Sequence, residues 1–268
     1  MSATAVPDAM QLDISKTPHV PLIRLVKVEM RKALDTRAGR WLIIGILGLV
    51  VVIEVIYSFA ADNDAKGLQD YIQIPGFTLG YFLPIVIIML VTSEASQRNG
   101  LVTFTLEPKR SRIVLAKFLA GIALALGVMV LAVVLAVLGT LFGAVTGGDT
   151  SWHLDGGLVF YALFLSNMIG IFIGFALSML IMNTAGAIVA YFAYTLILPT
   201  AVSILSALSN GFEKVAPWIE FNTAQQPLVS TPYSPSGEEW AQIVTSGVIW
   251  LLVPLVLGIW RLMRIEFK

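Results

Sequence analysis

Long apolar runs separated by short polar blocks dominate the chain. Trp41 to Ala60 reads WLIIGILGLVVVIEVIYSFA, with a single carboxyl at Glu54. Comparable runs occupy residues 76–93, 113–145, 158–182, 185–205 and 243–260. A helix rises about 1.5 Å per residue, so about 20 apolar residues cross roughly 30 Å of hydrocarbon. The third run is longer than a crossing requires. Transmembrane strands would alternate polar and apolar residues, and these runs do not. The pattern predicts an all-α membrane protein, a six-transmembrane-helix bundle with its transmembrane domain over 41–268.

The polar flanks add two elements. Residues 1–20 contain Pro7 and Pro18 and no apolar core before a cleavage-like site, which predicts a flexible cytoplasmic tail and not a signal peptide. In residues 21–40, Leu22, Val26, Met30, Ala33 and Leu34 recur at helical spacing, while Arg24, Lys27 and Arg31 take another face. Pro21 suits a first helical turn. Setting topology would need the charges but not the apolar face, so the stretch predicts an interfacial amphipathic helix against anionic lipid.

Composition and charge sharpen this picture. Of 268 residues, 57% are hydrophobic and 13% charged, about half the charge of an ordinary soluble domain. Mean hydropathy is +0.84. The net charge is zero, but fifteen of the seventeen basic residues fall before Trp41, between run two and the opening of run three at Lys117, or after Trp260. Basic residues resist translocation, so both termini are expected on the cytoplasmic side of the cell membrane. Only Lys66 and Lys214 remain for the outer side. The chain has no cysteine, and its two histidines, His19 and His153, lie outside the runs, so no metal site is expected. No stretch matches GxxxxGK[ST], so the chain itself is expected to bind neither ATP nor another cofactor and to carry no catalytic residue. Nothing marks a nucleic-acid partner.

The candidate chemistry lies in SEASQRNGLVTFTLEPKRSR, residues 93–112. Glu94 and Arg98 stand four apart, the order favoured for a helical ion pair of about 0.3–0.5 kcal/mol. Asn99 and Gly100 permit a turn. Leu101, Val102, Phe104 and Leu106 offer apolar knobs, Pro108 ends any helix, and Arg110, Arg112 and Lys117 lead into run three. From the residues alone, a docking element and a solvated topogenic loop fit equally well. Glu54 has two readings as well, as a contact on a substrate path or as a helix–helix hydrogen bond near water. Ser166, Asn167, Asn183 and Thr184 suit interhelical bonding and a tight turn, and Pro84, Pro199 and Pro254 are kink candidates, with Pro199 a candidate break in span five. Gly139 with Gly143, and Gly170 with Gly174, form GxxxG pairs that read as general packing. Between runs five and six, residues 206–242 form the largest outer connection. There Phe212, Trp218, Phe221 and Trp240 suggest interface anchors, and acids such as Glu213, Glu220 and Glu239 suggest solvation.

Together these features resemble the permease subunit of the type-2 ATP-binding-cassette exporter family. The resemblance rests on the basic elbow helix, the six-run layout, the long connection after run five, and Glu94, Arg98, Gly100, Thr103, Pro108, Ser111, Arg112 and Lys117. Asn99-Gly100-Leu101 departs from the family's more frequent Gly-Thr pair. The resemblance implies short outer re-entrant helices between spans five and six. It implies a coupling helix built from Glu94, Arg98, Asn99, Gly100, Leu101, Phe104, Pro108 and Arg112 and seated on a separate ABC ATPase, present in two copies that hold ATP and Mg. A second permease chain would complete a homo- or heterodimer exporting a drug-like, peptide, lipid or glycan substrate. Two rivals are a membrane scaffold or sensor that recruits a cytoplasmic partner, and an ion-coupled carrier. The carrier would show repeated halves and several buried carboxylates, whereas Glu54 alone is found here.

Overall fold

The computed structural model describes residues 20–96, 109–148 and 151–264, with the backbone alone for 94–96. Among the described residues every regular element is helical. Helix α1, Leu22–Asp35, buries Val26, Glu29 and Ala33 along one stripe. Thr36 then leaves the helix with φ −71° and ψ 136°, and its hydroxyl accepts from Gly39 N at 3.2 Å, which caps α2, Arg37–Ala60. A side-chain cap of this kind satisfies one of the amides that open a helix. The elbow is tight: a Cβ on residue 39 would stand 2.2 Å from the Ala33 carbonyl oxygen, so glycine is required. Arg40 Nε donates back to the Leu34 carbonyl at 3.2 Å. Cap chemistry, not hydropathy, thus starts the first span at Arg37 and not at Trp41.

Helix α3, Leu68–Ser96, begins two turns before the apolar run. Gln69, Asp70 and Gln73 conceal those turns from hydropathy, and Asp70 Oδ2 secures them by accepting from Gly67 N at 3.0 Å. Pro84 lies inside α3. Proline has no N–H, so the carbonyl four residues earlier loses its donor. That carbonyl is Gly80, and the buried Tyr191 hydroxyl supplies a donor at 2.8 Å.

Helix α4, Arg110–Val145, has 36 residues, roughly 54 Å of helix, so it extends beyond the hydrocarbon. Helix α5, Leu158–Ile181, opens with a π-helical stretch through Leu165. Asn167 Nδ2 bonds the Leu163 carbonyl within it at 2.8 Å and the Gly76 carbonyl of α3 at 3.2 Å. Met182, at φ 55°, turns the chain, and Asn183 Oδ1 caps α6, Thr184–Leu208, through Gly186 N. Pro199 does not break α6. A π-helical stretch at Ala193–Ile197 comes just before it, and another at Val248–Leu252 comes just before Pro254 in α10, Gly237–Arg264. A widened turn absorbs the lost donor and the ring clash, so both helices continue.

The connection after α6 is shorter than 206–242. Three short helices fill it: α7, Asn210–Ile219; α8, Phe221–Ala224; and α9, Gln226–Val229. A capping box at Ser236 starts α10 before the apolar run, with Ser236 N donating to Glu239 Oε2 at 2.6 Å. Two expectations fail here. Glu220 is not solvated: it is 1% exposed and accepts from the Asn222 and Thr223 amides at 2.9 and 2.6 Å. Phe221 is not an interface anchor but a core residue packed on Gly247.

Helix α3 packs between α2, α4 and α5. Gly170 and Gly174 of α5 meet Pro84, where a Cβ on residue 174 would reach 2.9 Å from the Pro84 carbonyl. Gly139 and Gly143 of α4 meet Tyr71, and Gly258 of α10 meets the Met179 backbone. Large side chains such as Val130, Ile197, Val244 and Val256 remain exposed around the outside, a surface suited to lipid and not to water. Six helices, α2 to α6 and α10, are long and apolar enough to cross a membrane.

Candidate functional site

The two ends of the described chain meet at one end of the bundle, around the first turns of α4. Arg112 Nη2 donates to the Val20 carbonyl, just before α1. Arg110 Nη1 donates to the Leu262 carbonyl near the end of α10 at 2.7 Å. Two turns in from Arg110, Lys117 Nζ meets Glu29 Oε2 of α1 at 2.7 Å, with both side chains 6% exposed. Lys32 holds the other oxygen of Glu29 at 2.7 Å. A buried carboxylate needs such partners, because removal from water costs several kcal/mol per ion. Nearby, the Thr92 and Thr184 hydroxyls bond at 2.7 Å and join α3 to the start of α6.

Of the residues expected to dock an ATPase, Arg112 is thus placed at the base of the α3–α4 connection. Arg98, Asn99, Gly100, Leu101, Phe104 and Pro108 lie outside the described residues, as does the Glu94 side chain. Glu29 escaped sequence reasoning. The signal was there, a carboxylate three residues from Val26 and four from Ala33 on the buried stripe of an otherwise basic helix.

Glu54 sits at the α2–α3–α4 crossing. It is 4% exposed, and its Oε1 has no hydrogen-bond partner. A Cβ on residue 139 would stand 2.9 Å from Oε2 and 2.7 Å from the Tyr71 ring, so glycine makes room for both side chains. One turn on, the Ser58 hydroxyl bonds the Glu54 carbonyl at 2.8 Å and the Tyr71 hydroxyl at 2.6 Å.

At the opposite end of the bundle, α3, α5, α6 and the short helices α8 and α9 line a partly open cavity of about 470 Å³. Gly76 and Gly80 keep its α3 wall low, and Tyr191 and Tyr194 form much of its α6 wall. Tyr233 lines it too. Its burial, and then the Asp155 and Asp70 carboxylates, push that phenol above its ordinary range and keep it neutral. Asn222 Nδ2 bonds the Tyr194 carbonyl at 3.2 Å and Glu220 Oε1 at 2.8 Å, which fixes α8 against α6. Glu54 does not line this cavity. Tyrosines and amides scattered over three separate segments carry no spacing signal, so the cavity was not legible in the sequence.

A family model described as ABC-2 family transporter protein matches residues 108–267, more than half of the chain. The chain belongs to this family. No curated protein matches it. Membership and six membrane-length helices together make this ABC-2 protein a multi-pass membrane permease of the ABC transporter class, a class that works with an ABC ATPase. The match takes in Pro108, Arg112 and Lys117 and begins after Glu94, Arg98 and Phe104. It also covers most of the cavity wall, from Leu158 through Tyr233.

Proposed function

We propose that this ABC-2 protein is the membrane-spanning subunit of an ATP-driven exporter and takes up motion from a separate ATPase at the α3–α4 connection. The observation that carries this reading is the anchoring of α4 directly after that connection. Within its first turns Arg110, Arg112 and Lys117 tie α4 to the end of α10, to Val20 and to α1. A displacement of residues 97–108 therefore reaches α1, α4 and α10 together. Closely packed elements transmit such shifts as rigid bodies. The excess of basic residues at this end and at both termini supports a cytoplasmic position for them. There Glu94, Arg98, Asn99, Gly100, Leu101, Phe104, Pro108 and Arg112 form the docking set, and ATP with Mg is held by the partner. Two ATPase copies and a second permease chain complete the assembly.

The test is co-expression with candidate ABC ATPases of the same organism. The tagged permease is expected to retain one such ATPase on purification, and the pair to hydrolyse ATP. Glu94→Ala combined with Arg98→Ala is expected to cut retention at least tenfold without moving the permease Tm. Undiminished retention by the double variant would remove the docking site from that segment.

A further inference from the structure

We propose that the cavity between α3, α5, α6, α8 and α9 is a binding site for an uncharged, ring-bearing small molecule rich in hydrogen-bonding groups. The size fits: about 470 Å³ lies within the range of roughly 300–1,000 Å³ found for small-molecule sites. The lining chemistry is specific as well. Tyr81, Tyr191, Tyr194 and Tyr233 line it with aromatic rings, and Gln226 adds an amide. Among the described residues lining the cavity there is no Asp, Glu, Lys or Arg. An anion would thus lose its hydration without gaining a counter-charge, and a cation would find only Asp155 and Asp70, which act on the Tyr233 phenol from behind the wall, whereas a neutral guest gives up far less.

A second observation points to a ligand. Tyr194 is 5% exposed and lines the cavity, yet its hydroxyl makes no hydrogen bond of proper geometry. The Gln225 side chain lies beside it, but Gln225 Nε2 donates to the Phe221 carbonyl at 2.9 Å. Buried hydroxyls are nearly always paired. Tyr191 differs, since its hydroxyl is committed to Gly80. The Tyr194 O–H therefore remains to donate to a guest, with Gln225 beside the phenol oxygen. Glu220, the nearest carboxylate on α8, is turned away into its own cap through four bonds to Asn222 and Thr223.

If the exporter reading holds, this site supplies its substrate class; the binding itself does not depend on that reading. The full chain in lipid nanodiscs, without ATPase or ATP, is dialysed against three matched probes. These are 4-nitrophenyl β-D-glucopyranoside, 4-nitrobenzoate and 4-nitrobenzylammonium, with empty nanodiscs subtracted. Saturable binding of the neutral glucoside at one per chain is expected, at least about tenfold tighter than either ion. Ser166→Phe, which fills the cavity from α5, is expected to abolish it, and Tyr194→Phe to weaken it about three- to tenfold with unchanged Tm. Non-saturable uptake of the glucoside, equal binding of the ions, or full binding by both variants would overturn the proposal. A chain that binds the glucoside yet shows no ATP-driven movement of it keeps the site and loses the exporter reading.

Discussion

Lys117 and Glu29 form an ion pair in which both partners are almost removed from solvent. Removing one partner of such a pair strands the other charge, whereas replacing both with apolar groups is often neutral. Lys32 still holds the other Glu29 oxygen, so Lys117→Met is expected to destabilise the chain by less than the roughly 3–5 kcal/mol of a fully stranded charge, and Glu29→Met with Lys117→Met to restore most of that loss. Thermal unfolding of the purified chain in detergent reads both; equal losses in the single and double variants would assign the effect to packing instead. Glu54 poses a different question, because it is confined by Tyr71 and Gly139 and lies outside the cavity. Glu54→Gln keeps the shape of the side chain, so transport and basal ATPase are expected to stay within about twofold, which a transport assay with the assembled complex would check. A tenfold loss of transport would return Glu54 to the substrate path. The sequence displayed both carboxyls, but it could not show their surroundings, since Tyr71, Gly139 and Lys117 come from distant parts of the chain.

Helix existence was legible nearly throughout, because membrane-length apolar runs admit few alternatives. Helix starts were not. Thr36, Asp70 and Ser236 each begin a helix by hydrogen bonding before hydropathy rises. Proline misled for a related reason. Pro199 suggested a break, yet the π-helical stretch before it keeps α6 whole. Pro84 is accommodated differently, by the donor that Tyr191 lends to Gly80. That division of labour is testable. Tyr191→Phe is expected to cost about 0.6–1.7 kcal/mol in the wild-type background. In Pro84→Ala the helix regains its own amide at residue 84, so the same substitution should cost less there. A double-mutant cycle on Tm that shows strict additivity would mean that Tyr191 does not compensate for the proline.

At the scale of the molecule, the fold follows from six apolar segments and their connections, but sidedness rests on charge alone. The absence of cysteine provides a clean background for testing it. Gln97→Cys in the α3–α4 connection is expected to resist a membrane-impermeant maleimide in intact cells and to react after permeabilisation. Lys214→Cys on α7 is expected to react in both conditions. The opposite labelling would invert the bundle and, with it, the docking reading. The cavity shows most clearly what a single sequence withholds: its walls combine α3, α5, α6 and two four-residue helices that hydropathy cannot detect.

Arg110 and Arg112 stand two positions apart, and one grasps the last helix while the other grasps Val20, two residues before the first. Val20 and Leu262 are therefore both held to the first turn of α4, although almost the whole polypeptide separates them in sequence. A peptide bridge of about ten residues, reaching roughly 33 Å when extended, is ample to join them. Closing the backbone into a ring by ligation across that gap should leave every helix where it stands.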